Sequence, residues 1–310
     1  MNREPLVSVL IPAYNVGEYI EDSLNSILEQ SYKNIEVIVV DDCSNDQTYS
    51  ILMRMQQKDS RINVYKNEKN LKIAKTLNFG LEQCKGEYIL RMDGDDVSHK
   101  LRIEIMLKYL LENDEISLVG SGFYSIDENG NKLASYTYPK QLWKINKCLK
   151  YGPPVLHIWL AKTEVYQKLN GYRDISGAED YDFLLRLKTN NLKFTNIDDK
   201  LYSIRLRNGN SLSTMGYEQR LLSMYVYKLF LERKKYSSDS YSGNLDNIGY
   251  DIKECNDFKY SINNLKKAIM YKNEKQYFKM LINLARAILS SRVQRLYIFN
   301  RVKFKIINML

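Results

Sequence analysis

The chain of 310 residues reads as an α/β protein: a mainly parallel, Rossmann-like sheet flanked by helices, followed by a C-terminal helical extension. Three observations predict this. Short apolar runs (VSVLI, EVIVV, EYIL) alternate with segments of helical period through the first hundred residues, as right-handed strand–helix–strand crossovers require. The runs lack in–out alternation, so both faces of the sheet are covered, as in parallel sheets. After Thr214 the character of the sequence shifts and helical patterns take over.

Taken in order, VSVLIPAYN is a strand followed by a turn. VGEYIEDSLNSILEQ places Ile20, Leu24, Ile27 and Leu28 on one helical face. EVIVVDDCSNDQT is a second buried strand that opens into a polar loop. TYSILMRMQQKD is helical, RINVYKN is a short strand, KIAKTLNFGLEQCK is helical again, and EYILRMDGDD completes the series. Residues 101–215 carry a helix (LRIEIMLKYLLEN), a strand (ISLVGSGFYSI) and a hairpin-like DENGNK. PPVLHIWLAKTEVYQKLNGY, GAEDYDFLLRLK and NLKFTNIDDKLYSIRLRNGNSLS follow. LLSMYVYKLFLERKK is a helix, residues 236–258 form a polar, turn-rich linker, SINNLKKAIMYKN is a helix, and one long helix runs from about Glu274 onward.

Composition narrows the function. At 44% hydrophobic residues a sizeable core is expected. The apolar runs are too short to cross a bilayer, and the N-terminus does not resemble a secretory signal. Cys43, Cys84, Cys148 and Cys255 have neither metal nor disulfide spacing, so reduced thiols and a cytoplasmic setting are expected. Of the net charge of +9, six basic residues (Arg286, Arg292, Arg295, Arg301, Lys303, Lys305) fall in residues 281–310, which hold no acidic residue. No zinc-finger spacing, basic zipper or RNA-recognition motif accompanies them, so no nucleic-acid partner is expected.

The chemistry sits at strand ends. Ligands of open parallel sheets bind where the carboxyl ends of strands emerge. Three predicted strands end there in polar clusters: Pro12-Ala13-Tyr14-Asn15, Asp41-Asp42-Cys43-Ser44 and Asp93-Gly94-Asp95-Asp96. Gathered carboxylates repel one another unless a cation or donors join them. The sequence has neither GxxxxGK[ST] nor a GxGxxG after the first strand, which excludes P-loop and dinucleotide-binding readings. DDCSNDQT fails as a calcium loop, with Gln47 where Gly is needed and Met53 where Glu is needed. A phosphatase reading of DGDDV leaves Asp41 and Asp42 unexplained.

VSVLIPAYN, VIVVDDCSNDQT, KGEYILRMDGDD and GAEDYDFLLRL, in this order and spacing over about residues 5–214, resemble inverting glycosyltransferase family 2, which has the GT-A fold. The resemblance implies a catalytic domain over 1–215, with a donor-binding half at about 1–100 and an acceptor-binding half at about 101–215. The extension is 216–310. It implies transfer of a sugar from a nucleotide sugar, with UDP favoured because a carboxylate accepts well from uracil N3–H. The acceptor is a saccharide, free or lipid-linked, in bacterial surface polysaccharide synthesis. It further implies Mn²⁺ or Mg²⁺ on Asp95 and Asp93, with Asp93 contacting ribose or metal. Asp96 is a supporting partner or a helix cap, and Gly94 lets the backbone approach the donor. Pro12, Tyr14 and Asn15 lie beside the nucleoside, Asp41 or Asp42 reads the base, and Lys72 reaches base or phosphate.

Asp180 of the ED pair is the implied base, with Glu179 beside it and Asp182 as an alternative. His157 and Glu179 are placed at the acceptor. Family members often carry His where this chain has Arg207. Arg cannot bind metal, so Arg205 or Arg207 instead neutralises the diphosphate. The apolar positions Leu281, Leu284, Ile288, Leu289, Val293, Leu296 and Phe299 oppose Arg286, Arg292 and Arg295. Such a basic amphipathic helix suits peripheral contact with an anionic membrane, and equally docking on the catalytic domain or on a second copy in a homodimer. Two other classes stay open. A nucleotide-sugar-binding assembly partner without transfer activity is opposed by the intact DGDD and ED pairs. A nucleotidyltransferase normally shows a Gly-rich basic loop, which IPAYNVGEY is not.

Overall fold

The structure, a computed structural model, describes residues 4–207, 216–245 and 248–310. Four strands, β1 (Val7–Ala13), β2 (Ile35–Asp41), β3 (Ile62–Lys66) and β4 (Tyr88–Arg91), lie parallel. Helices α1 (Ile20–Leu28), α2 (Thr48–Lys58) and α3 (Lys72–Gln83) connect them. Beyond β4 come β5 (Val97–Ser98), α4 (Arg102–Glu112), β6 (Ile116–Ile126), β7 (Lys132–Tyr136), α5 (Leu142–Cys148), β8 (Leu160–Lys162), α6 (Thr163–Lys168), α7 (Glu179–Thr189) and β9 (Lys193–Arg205).

Among the described residues the strands form one sheet in the order β3-β2-β1-β4-β8-β6-β9-β5, with β7 paired on β6 as a hairpin. The first half is parallel, as expected. The second is mixed, because the three-residue β8 wedges in antiparallel to both β4 and β6 while β9 runs parallel to β6. Fully apolar strand residues, among them Val9, Ile11, Val37 and Val39 on one face and Leu10, Ile38 and Val40 on the other, join two separate cores. Burial of this kind contributes roughly 25 cal/mol per Å² of apolar surface.

Helix α8 (Gly216–Tyr236) lies against α7 and adds Leu222, Val226, Leu229 and Phe230 to the core of one sheet face. Helices α9 (Ile252–Asn273) and α10 (Tyr277–Ser290) form a helical hairpin, and α11 (Arg292–Met309) returns to contact α5 and α8. The expected boundary at 215 lies outside the described residues.

Two expectations about this extension are corrected. The linker expected over 236–258 ends early, because Asp251 caps α9 by accepting a hydrogen bond from the Glu254 N–H. The long helix expected from Glu274 is two helices. Ser291 is extended (φ −126°, ψ 129°), and its Oγ accepts from Gln294 N–H while donating to Glu254 at 2.7 Å. The apolar positions before and after Ser291 therefore do not form one continuous stripe.

Candidate active site

The polar ends of β1 and β2 interlock. Asn15 (φ 51°) donates its backbone N–H to Ser44 Oγ, and its side chain accepts from Asn45 N–H at 2.9 Å. Tyr14 is left half-exposed beside them. Asp42 Oδ1 accepts from Asn67 Nδ2 and Leu71 N–H, each at 2.8 Å, and Oδ2 accepts a single bond from Lys72 N–H at 3.0 Å. Asp41 has no exposed surface. Its Oδ2 accepts from Ser44 N–H, while Oδ1 has no hydrogen-bond partner among the described residues. Lys72 opens α3 with φ 65°, a left-handed conformation that costs a side-chain-bearing residue about 1–2 kcal/mol and that Gly adopts freely.

The end of β4 carries the acidic cluster. Asp93 Oδ2 lies 2.7 Å from His157 Nε2, while Oδ1 is buried, 4.0 Å from Arg91 Nε and without a hydrogen bond. Asp95 Oδ2 accepts from Arg207 Nε at 2.6 Å. Asp96 is buried and accepts from Arg205 N–H at 2.9 Å. It therefore fastens β9 to the loop, and the helix-cap role is ruled out because α4 starts after Leu101. Arg205 is also turned inward, donating to the Asp95 and Glu128 carbonyls. Arg207 is the more accessible of the two, and Tyr19 lies under both guanidinium groups. Gly94 has a packing role: a Cβ there would lie 3.0 Å from Ile20 Cδ1 and 3.2 Å from Val16 Cγ2. Glycine lets the strand end close against α1.

Electrostatics follow from this crowding. Burial and the Asp93 charge raise the Asp95 pKa against the pull of Arg207, and burial with Asp95 and Asp93 raises Asp96 well above the carboxylate range. Asp93 is lowered: burial opposes its charge, but His157, Arg91 and Arg102 outweigh it. His157 is raised, because Asp93 and Asp180 overcome burial and the Arg91 charge.

The ED pair begins α7, and its two side chains diverge. Glu179 is buried, with Oε1 3.2 Å from Arg91 Nη2 and Oε2 accepting from Gly177 N–H. Both of its oxygens are engaged within the protein. Asp180 Oδ2 faces His157 Nδ1 at 3.9 Å, so His157 bridges the strand-end carboxylate Asp93 and the helix-start carboxylate Asp180. Burial and Glu179 raise the Asp180 pKa against His157 and Arg91. Asp182, the alternative base, has no exposed surface and is bound to Arg186 at 2.7 Å. Sequence reasoning missed Arg91, which joins Asp93 to Glu179. The signal was present in RMDGDD, where an Arg ends a strand bound for the core.

The residues fit a divalent cation in one specific way. Among the described residues no three His, Cys, Asp or Glu side chains gather to hold a metal. Asp93 Oδ1 accepts no hydrogen bond, and burial with the Asp93 charge disfavours charge on Asp95 despite Arg207, so a cation shared by the two carboxylates would find one free oxygen and relieve that repulsion. Mg²⁺ and Mn²⁺ commonly take one or two carboxylates and complete their shell with phosphate oxygens and water.

The interlocked ends of β1 and β2, the Asp93 and Asp95 carboxylates and, across His157, the Asp180 carboxylate form the arrangement expected of a nucleotide-sugar-dependent glycosyltransferase. The chain belongs to glycosyl transferase family 2, whose model matches residues 8–170. It is 34% identical over 237 residues to an uncharacterized glycosyltransferase of Methanocaldococcus jannaschii, covering 75% of this chain and 82% of that one. It is 31% identical over 236 residues to the O-antigen biosynthesis glycosyltransferase WbnJ of Escherichia coli, covering 74% and 90%. The structure of S. aureus TarS 1-349 in complex with UDP-GlcNAc shares the GT-A fold, with a TM-score of 0.60 at 22% identity over 97% of this chain and 89% of that one.

Proposed function

We propose that this chain is an inverting glycosyltransferase that moves a sugar from a UDP-sugar to a saccharide acceptor in surface polysaccharide assembly, with Asp180 as general base. The observation that carries the reading is the His157 bridge, which sets Asp180 on the far side of the imidazole from the Asp93–Asp95 cluster. The name of WbnJ supports the polysaccharide setting, and the UDP-GlcNAc complex of TarS supports the donor class.

In this reading the nucleoside lies across Pro12, Tyr14 and Asn15. Asp42 reads the base, because its Oδ2 carries one hydrogen bond and keeps a lone pair, whereas Asp41 is sealed and braces the turn through Ser44. Lys72 and Arg207 face the diphosphate, and Arg205 holds the loop beneath them. Asp95 and Asp93 would hold Mn²⁺ or Mg²⁺, which supplies neutralisation of the leaving diphosphate. The acceptor hydroxyl gives its proton to Asp180. Its oxygen forms the new bond to the anomeric carbon as the bond to the diphosphate oxygen breaks, and that oxygen leaves with the electron pair. His157, set between the Asp93 and Asp180 carboxylates, holds Asp180 in place, and Glu179 acts from behind by fixing Arg91.

Residues 1–215 are the catalytic domain in this reading, with α8 completing its core, and the rest of 216–310 is the extension. Among the described residues no helix is long and apolar enough to cross a membrane. The exposed apolar side chains Tyr277, Phe278, Leu281 and Leu289 of α10, near Arg286 and Arg292, support peripheral contact with an anionic membrane. The test is turnover with a UDP-sugar and an oligosaccharide acceptor pool, comparing the wild type with Asp180→Asn. Transfer by the wild type alone supports the reading, and equal transfer by both overturns it.

A further inference from the structure

Residues 129–163 contain six lysines and no Asp or Glu, a second acid-free stretch besides the one at 281–310. The fold brings the two together. Helix α5 belongs to the first stretch and packs against α11 of the second. Buried Lys144 of α5 donates to the Asn308 carbonyl at 3.5 Å, and Asn308 Nδ2 donates to the Thr137 carbonyl at 3.3 Å. Phe304 of α11 meets Tyr138 edge-on, with ring centres 6.3 Å apart.

Apolar side chains flank this joint. Leu142 and Trp143 stand next to Lys144, Ile306 and Met309 stand on either side of Asn308, and all four are exposed. Trp143 is 48% exposed, whereas Trp159, the other tryptophan of the chain, has no exposed surface. Lys147 Nζ lies 5.0 Å from the centre of the Trp143 ring. Among the described residues Lys147, Lys150, Lys303 and Lys305 are exposed and none is paired with a carboxylate, unlike Lys140, which is paired with Asp198. The headgroup layer of a bilayer suits this chemistry. An indole has an apolar body and a polar N–H, and lysine stems lie along apolar surface while their ammonium groups reach phosphates. A nucleic acid would neutralise the lysines but offer nothing to Leu142, Ile306 and Met309.

The face is tied to the candidate active site. Tyr181, next to Asp180, donates its hydroxyl to the Leu149 carbonyl at the end of α5, and residues 150–156 then lead to His157. We propose that α5 and the last turns of α11 form a membrane-interface surface: Trp143 enters the headgroup layer of an anionic bilayer, Lys147, Lys150, Lys303 and Lys305 neutralise its phosphates, and the start of α7 is thereby held close to the bilayer. The inference rests on the reading of peripheral membrane contact and adds to it a face that α10 does not include.

Vesicles of phosphatidylglycerol and phosphatidylcholine, with the phosphatidylcholine brominated in its acyl chains in a parallel set, test it by sedimentation and tryptophan emission. Sedimentation reports whether the protein binds at all, and emission reports whether α5 makes the contact. The expected result is a blue shift on binding and quenching by the brominated lipid. Both should be lost in Trp143→Phe, which still sediments, because Trp159 is sealed in the core. Lys147→Gln/Lys150→Gln should weaken binding at least about tenfold, since each basic residue near an anionic surface contributes roughly fivefold. Both lysines are exposed, so this variant keeps the fold. Sedimentation with emission unchanged would leave peripheral contact standing through α10 and overturn the role of α5. Absence of sedimentation would overturn the peripheral reading and the proposal together. A blue shift without vesicles that grows with protein concentration would assign the face to a second copy of this chain and likewise overturn the proposal.

Discussion

Burial and the neighbouring Glu179 disfavour charge on Asp180, His157 and Arg91 favour it, and the balance raises its pKa. A base works best when its pKa approaches the working pH. As pH falls through that raised pKa, Asp180 takes up a proton and transfer stops. The acid limb of kcat/KM should therefore lie above the ordinary carboxylate value of about 4, and a limb at or below it would contradict the assignment. Asp180→Asn should reduce kcat about 10²- to 10⁴-fold with donor Kd unchanged, measured by turnover and calorimetry. Lys72→Gly should raise stability by about 1 kcal/mol by relieving the left-handed strain, and weaken donor binding if the ammonium reaches the phosphates; thermal melts and titration separate the two. The residues proposed to carry chemistry were marked in the sequence by type and spacing as Asp93, Asp95, Asp180 and the Asp41–Asp42 pair, the choice within that pair being left open. Side-chain direction was not. That Glu179 faces Arg91, and that Gly94 packs against Ile20 and Val16, depends on neighbours distant in the chain.

Helix α7 shows how an element positions its first turn. Asp182 binds Arg186 directly, and Arg173 and Arg233 approach it within 3.8 and 4.0 Å. Asp239 binds both Arg173 and Arg233, so α7 is tied to α8 and to the chain beyond it. Removing one partner of a buried ion cluster leaves charge uncompensated at a cost of about 3–5 kcal/mol. Asp182→Ala should therefore lower unfolding free energy by that amount in urea titration, whereas Asp180→Asn should leave it nearly unchanged. The α10–α11 break was illegible for a reason of the same kind. Helical periodicity runs straight through Ser290 and Ser291, and the stop comes from Glu254 of α9, which holds Ser291 Oγ and the Val293 N–H. The α/β alternation was legible because each parallel strand is apolar throughout. The antiparallel insertion of β8 was not, because three residues carry no period.

At the scale of the whole molecule, basic charge and exposed apolar side chains meet in the C-terminal helices. The last thirty residues hold six basic side chains and no acidic one, and α10 leaves Phe278 and Leu289 about three-quarters exposed. The protein should sediment with vesicles containing anionic lipid and detach as ionic strength rises, with Phe278→Ser/Leu289→Ser weakening the association; binding to neutral vesicles alone would contradict an electrostatic contribution. At the opposite scale from these surfaces, the proposed donor site is a small cluster of opposed charges at the strand ends, and a bound ligand stabilises the fold according to its occupancy. The deciding measurement is the thermal shift produced by UDP-sugars with Mn²⁺ or EDTA, in the wild type and in Asp95→Ala. A rise that needs Mn²⁺ and vanishes in Asp95→Ala is predicted. A rise of equal size in EDTA and in Asp95→Ala would show that Arg207 and Lys72 neutralise the diphosphate unaided, contradicting the metal-holding role of the strand-end carboxylates.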